Sequence, residues 1–98
     1  MAVEIVDNKD AQRYEVWEDG EMVGLSEYRD SPHQIAFIHT EVDSARKGEG
    51  IAGLLAQTTL DEARAAGKSV VPACPFYEKW IGRHPEYGDL VAQGGPES

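Results

Sequence analysis

The arrangement that most constrains this chain lies between residues 34 and 72, where a strand pattern, a glycine-bearing loop, one long amphipathic helix and a short strand follow one another. Gln34 to Val42 carries apolar residues at adjacent positions, as a strand covered on both faces does. Asp43 to Gly50 is polar and holds Gly48 and Gly50. From Ile51 to about Ala66 the spacing predicts a helix with Ala52, Leu55, Ala56, Thr59, Leu60 and Ala63 as its buried stripe and Gly67 as its C-terminal stop. Ser69 to Pro72 is the second strand. Two strands joined through a helix pair in parallel by a crossover, so the fold class is α/β. Pro72 has no amide hydrogen to give the ladder, so the pairing ends or splays there.

The residues before this unit read as an antiparallel meander. Val3 to Asp7, Arg13 to Glu18 and Glu21 to Tyr28 alternate in polarity, and Asp19-Gly20 is a two-residue hairpin signal between the second and third. Asp30-Ser31-Pro32 breaks the third strand before Gln34. Along 34–42, a period of two places Ile35, Phe37, His39 and Glu41 on one face and Ala36, Ile38, Thr40 and Val42 on the other, which makes His39 and Glu41 neighbours. After residue 72, Phe76 to His84 reads as a short helix with Pro75 near its first turn and Pro85 at its end. Tyr87 to Val91 adds a last turn or an edge strand. Residues 1–92 are expected to form a single domain, with 93–98 as a frayed tail.

Nine basic against eighteen acidic residues give a formal charge of −9, which argues against a protein that tracks nucleic-acid phosphates. The same charge either favours a cationic partner or serves solubility. The start Met1-Ala2-Val3-Glu4-Ile5 carries an acid where a signal peptide needs basic residues, and no apolar run reaches spanning length. A cytoplasmic location without membrane attachment is expected. Cys74 is the single cysteine, so an internal disulfide is excluded, and His33, His39 and His84 are too scattered for a metal site.

Lys47-Gly48-Glu49-Gly50-Ile51-Ala52 joins two glycines to the start of the long helix. Amides of a first helical turn lack intrahelical partners, and the helix dipole favours negative charge at that end. The segment has neither the Gly-Lys-Ser/Thr ending of a nucleotide-triphosphate loop nor the three-glycine spacing of a dinucleotide fingerprint, which leaves a general anion site.

That loop resembles the Gln/Arg-x-x-Gly-x-Gly/Ala pyrophosphate loop of the GCN5-related N-acetyltransferases (GNAT superfamily). His39-Thr40-Glu41-Val42, Gly48-x-Gly50-Ile51-Ala52, Pro72-x-Cys74-x-Phe76 and His84-Pro85-Glu86-Tyr87 are together similar to its small single-domain branch, sometimes called YjdJ-type. Lys47, with Arg46 before it, stands where the superfamily usually has Gln or Arg; lysine meets a phosphate as a point charge without a guanidinium fork.

The resemblance implies a minimal GNAT-like fold, with a mostly antiparallel sheet, a cofactor-binding helix, splayed strands and a short C-terminal helix. It implies acetyl-coenzyme A as acyl donor, its pyrophosphate on the backbone of Gly48, Gly50, Ile51 and Ala52 beside Arg46 and Lys47. The pantetheine arm would lie along Thr40, Glu41 and Val42, with a backbone N–H near Val42 facing the oxyanion. Tyr77 is a candidate contact on the cofactor side and an acid for the leaving thiolate. Two routes stay open. Cys74 acts as a covalent nucleophile with His39 as its base, or His39 or Glu41 deprotonates an amine for direct attack and Cys74 only lines the pocket. The expected activity is N-acetyl transfer to a primary amine, either a small amine or a protein lysine, and the competing reading is a non-catalytic acyl-coenzyme A binding or sensing module.

Overall fold

The computed structural model describes residues 3–43 and 50–91. Five strands form one sheet in the order β1-β2-β3-β4-β5: β1 Val3–Asn8, β2 Arg13–Glu18, β3 Glu21–Asp30, β4 Gln34–Val42 and β5 Ser69–Pro72. The first four pair antiparallel, and β5 joins β4 in parallel after the crossover through α1 (Ile51–Ala65). The chain then runs into α2 (Pro75–Arg83) and a 3-10 helix over Pro85–Leu90. Val91 makes an isolated parallel bridge to Val70, so the last segment is both a turn and a sheet contact.

Local chemistry accounts for these boundaries. Asp19 and Gly20 both have positive φ, at 51° and 82°, the pair of left-handed residues that a tight hairpin between β2 and β3 requires. At the far end of α1, the amides of Gly67 and Lys68 donate back to Arg64 and Ala63, and Gly67 sits at a φ of 73°. Ile51, Leu55, Ala56, Thr59, Leu60 and Ala63 are the buried positions of that helix; Ala52, expected in the stripe, is only half-buried.

Both α-helices pack on one face of the sheet. The core there joins Tyr14, Val16, Tyr28, Ile35 and Phe37 of the strands to Leu55, Leu60, Tyr77 and Ile81 of the helices. Phe37 and Tyr77 are fully buried and stacked, with ring centroids 4.3 Å apart and planes within 5° of parallel. Tyr14 Oη donates to Glu62 Oε1 at 3.0 Å, clipping β2 to α1. The opposite face carries no described helix.

One irregularity in β4 decides what that second face contains. From Val42 back to His39, β4 pairs with Gly24 through Glu27, but Phe37 then pairs with Tyr28, so Ile38 is an extra residue opposite the Glu27–Tyr28 step. A bulge of this kind reverses the inward and outward alternation of everything beyond it. Ile35 and Phe37 face the helices, and so do Thr40 and Val42, whose partners Ser26 and Gly24 are buried. His39 and Glu41 therefore lie on the helix-free face, which corrects the expectation that they share a face with Ile35 and Phe37. Unbroken alternation would have set two ionisable side chains beside Phe37 on the core face, where unpaired charge is costly; the bulge removes that conflict.

Candidate functional site

The β4–β5 ladder starts at Gln34–Ser69 and stops at Phe37–Pro72. Beyond it, the Cys74 amide donates to the Phe37 carbonyl at 2.9 Å, and the chain turns away into α2. Over Ile38–Val42, β4 has β3 as its ladder partner among the described residues, so its other edge faces the gap that opens between the two parallel strands. This is the splay expected from Pro72. The next described element, α1, follows Gly50, which has a φ of 76° and no side-chain cap, and the first turn of α1 holds no acidic residue. The amides of that turn and the positive end of the helix dipole are thus left to an anion. Arg46, Lys47 and Gly48, expected to complete the cradle, lie outside the described residues.

On the core side of the gap, Cys74 is buried and its thiol donates to Thr40 Oγ1 at 3.3 Å. Thr40 is its hydrogen-bond partner among the described residues. His39 points to the other face, where Nε2 lies 2.7 Å from Glu41 Oε2 and the two side chains are 50% and 65% exposed. The neighbourhood of His39 and Glu41 expected from spacing is therefore present, but the pairing of His39 with Cys74 across the gap is not, because the bulge turns the imidazole away.

A carboxylate only accepts, so Glu41 fixes the proton of neutral His39 on Nε2 and leaves Nδ1 as the basic nitrogen. The hydrogen bond to Glu41 holds the imidazole above its usual value, slight desolvation opposes this, and the charges of Glu41 and then Glu27 reinforce it.

Tyr77 stands in the core rather than along the gap. Its hydroxyl accepts from Ser26 Oγ at 3.0 Å and lies 2.7 Å from Thr59 Oγ1, which itself donates to the Leu55 and Ala56 carbonyls of α1. Burial pushes the phenol up to about 12, with the bonds from Ser26 and Thr59 pulling the other way. Its ring and hydroxyl are both committed, which corrects the expectation of a cofactor-side contact.

His84 is structural: its ring stacks on Trp80 at 3.8 Å, and Nδ1 lies 2.8 Å from the Trp80 carbonyl. Among the described residues no group of His, Cys, Asp or Glu is arranged to hold a metal, and no helix is long and apolar enough to cross a membrane.

Sequence reasoning missed two features. The Ser26–Tyr77–Thr59 hydroxyl cluster joins residues far apart in the chain, and nothing local announces it. Glu27 pairs with His39 across β3 and β4 on the helix-free face. The polarity conflict at His39 and Glu41 was the signal for the bulge, since a strand with Phe37 and Val42 both facing inward needs one extra residue between them.

An open groove of about 230 Å³ lies where residues 22–25 of β3 meet Glu41 and Val42 of β4 and Asp43 just after it. Gly24 makes a close approach there: a Cβ would stand 3.3 Å from the Glu41 carbonyl oxygen, a tight contact that the backbone would have to ease by a few tenths of an ångström.

A GCN5-like protein of Staphylococcus aureus, solved in solution by NMR, shares this fold with a TM-score of 0.71 at 21% identity, over 96% of this chain and 90% of that one. A ribosomal-protein-alanine N-acetyltransferase of Brucella melitensis biovar Abortus 2308 is similar with a TM-score of 0.55 at 22% identity, over 88% of this chain and 65% of that one. No curated protein sequence matches the chain. The sequence pattern described as GCN5-related N-acetyl-transferase matches residues 13–90, and with that match the chain belongs to the GCN5-related N-acetyltransferase family.

Proposed function

We propose that the protein binds acetyl-coenzyme A and transfers its acetyl group to a primary amine, with Glu41-oriented His39 as the base and without a covalent intermediate on Cys74. The observation that carries the reading is the end of the β4–β5 ladder at Phe37–Pro72, which leaves the edge of Ile38–Val42 without β5, with the uncapped start of α1 after Gly50 as the next described element of the chain. An amide-rich arm ending in a pyrophosphate suits such a strand edge followed by such a helix end.

In this reading Gly50, Ile51 and Ala52, together with Arg46, Lys47 and Gly48, hold the pyrophosphate. Thr40, Glu41 and Val42 lie along the pantetheine arm, and Tyr77 supports the site from the core. The donor supplies a thioester carbonyl. The amine nitrogen bonds to the carbonyl carbon as the carbon–sulfur bond breaks, the amine's proton passes to His39 Nδ1, and the thiolate takes a proton from solvent. A backbone N–H near Val42 faces the carbonyl oxygen, where fixed donors act most strongly on developing charge. Direct attack is favoured over the covalent route because the Cys74 thiol bonds to Thr40 and the imidazole stands on the opposite face.

Calorimetry with acetyl-coenzyme A tests the first half, and an absence of detectable binding overturns it. Intact-mass analysis of the protein after incubation with acetyl-coenzyme A, followed by assay of wild type and Cys74→Ala on an amine panel, tests the second. The expected result is no adduct and an acetylated amine produced by both proteins. An adduct lost in Cys74→Ala establishes the covalent route instead, and binding without transfer to any amine identifies a non-catalytic acyl-coenzyme A module.

A further inference from the structure

On the helix-free face of the sheet, two ion pairs stand beside a half-buried carboxylate, Glu27, that belongs to neither. Arg13, Glu27 and His39 form one cross-strand row on β2, β3 and β4, and Glu15, Leu25 and Glu41 form the next. Both basic members of the first row are turned along their own strands into the second. Arg13 Nε donates to Glu15 Oε2 at 2.7 Å, and His39 Nε2 lies 2.7 Å from Glu41 Oε2. Glu15 is saturated, for Asn8 and Trp17 donate to it as well. Glu27, flanked by Arg13 and His39, accepts no hydrogen bond and makes no ion pair among the described residues, although it is half-buried.

We infer that Glu27 is the acceptor-recognising residue of the transfer site, and that the acceptor is a small alkyl diamine whose second, cationic nitrogen pairs with Glu27 while the first approaches His39. The inference rests on the acetyl-transfer reading above. A half-buried carboxylate without a partner among the described residues gains from any cation that reaches it; its cross-strand basic neighbours are already spent on Glu15 and Glu41, and Arg29, two residues along β3, is exposed and donates to the Tyr28 carbonyl. Glu27 and His39 are directly opposed across β3 and β4, so the two nitrogens are separated by no more than a short chain. The groove that Leu25 and Glu41 help to line begins at the next row, and its Glu41 and Asp43 carboxylates add to the negative charge that a dication meets. A monoamine reaches His39 equally well but leaves Glu27 unpaired, so selectivity for the diamine is read in KM rather than kcat.

The test uses 1,5-diaminopentane and n-pentylamine as probes, with wild type, Glu27→Gln and Glu27→Asp. Wild type is expected to show a KM for the diamine about tenfold below that for the monoamine at low salt. In Glu27→Gln the preference disappears while acetyl-coenzyme A affinity stays unchanged, the two amines being compared within each variant on the pH plateau, because loss of the Glu27 charge also moves His39; Glu27→Asp keeps part of the preference, which separates a charge effect from damage to the sheet. An equal KM for both amines in wild type, or a preference that survives Glu27→Gln, overturns the inference and leaves the transfer reading standing. Binding is also followed without donor, through the His39 ring resonances during diamine titration. A shift present in wild type and lost in Glu27→Gln, in a protein that does not bind acetyl-coenzyme A, upholds the diamine site and overturns the transfer reading; no shift in wild type counts against the site.

Discussion

His39 owes its chemistry to two neighbours on the helix-free face. Glu41 and Glu27 stabilise the imidazolium and hold its pKa above the ordinary histidine value, so a base at this position reaches its neutral, working form only at higher pH. Glu41→Gln removes the larger of these influences. The acidic limb of the kcat/KM profile is expected to move to lower pH, and an NMR titration of His39 should move the same way; an unmoved limb would mean that another group is the base. The same shift contributes stability in the opposite sense, fully present below the unfolded-state value and lost as pH rises through the folded one. Tyr77→Phe leaves the stacking on Phe37 intact and deprives Ser26 of its acceptor in the core. It is expected to cost about 1–2 kcal/mol in urea unfolding with acetyl-coenzyme A affinity unchanged. A loss of affinity without loss of stability would instead make the phenol a ligand contact.

Two elements set the geometry of the site, and each was legible to a different degree. The start of α1 follows from Gly50, whose left-handed φ of 76° is readily adopted only by glycine, while a Cβ there meets nothing within 4 Å. Gly50→Ala is therefore a conformational test free of clash, expected to destabilise by roughly 1 kcal/mol and to weaken acetyl-coenzyme A binding measurably by calorimetry. The hairpin at Asp19-Gly20, the helix stop at Gly67 and the ladder end at Pro72 were equally open to reading, because each depends on the backbone freedom of one or two residues. The bulge at Ile38 was not. Ile35-Ala36-Phe37-Ile38 is apolar throughout, so local sequence does not say which residue is the extra one. The choice is made by β3, where the small residues Gly24 and Ser26 accept Val42 and Thr40 on the core side. Deleting Ile38 is expected to force either His39 and Glu41 inward or the Ile35–Phe37 end out of register, lowering the free energy of unfolding by roughly 3 kcal/mol or more in urea titration.

For the molecule as a whole, the formal charge of −9 acts on the two proposed substrates in opposite senses: it attracts a cationic amine and repels an anionic donor at long range. Raising the salt concentration from about 0.05 to 0.5 M, which shrinks the screening length several-fold, is expected to raise the KM for a diamine several-fold while changing the acetyl-coenzyme A affinity less. An amine KM indifferent to salt would leave the acidic surface with solubility as its role. The parallel crossover and the meander before it were determined by the order of apolar, glycine and proline residues, since periodicity and turn chemistry act over a few neighbours. The tertiary structure alone decided that Cys74 faces Thr40, that His39 faces away from Cys74 and that Glu27 stands beside the imidazole without a hydrogen bond or ion pair among the described residues. Those relations depend on cross-strand register, which one inserted residue reverses and which is set by the packing of residues distant in the chain.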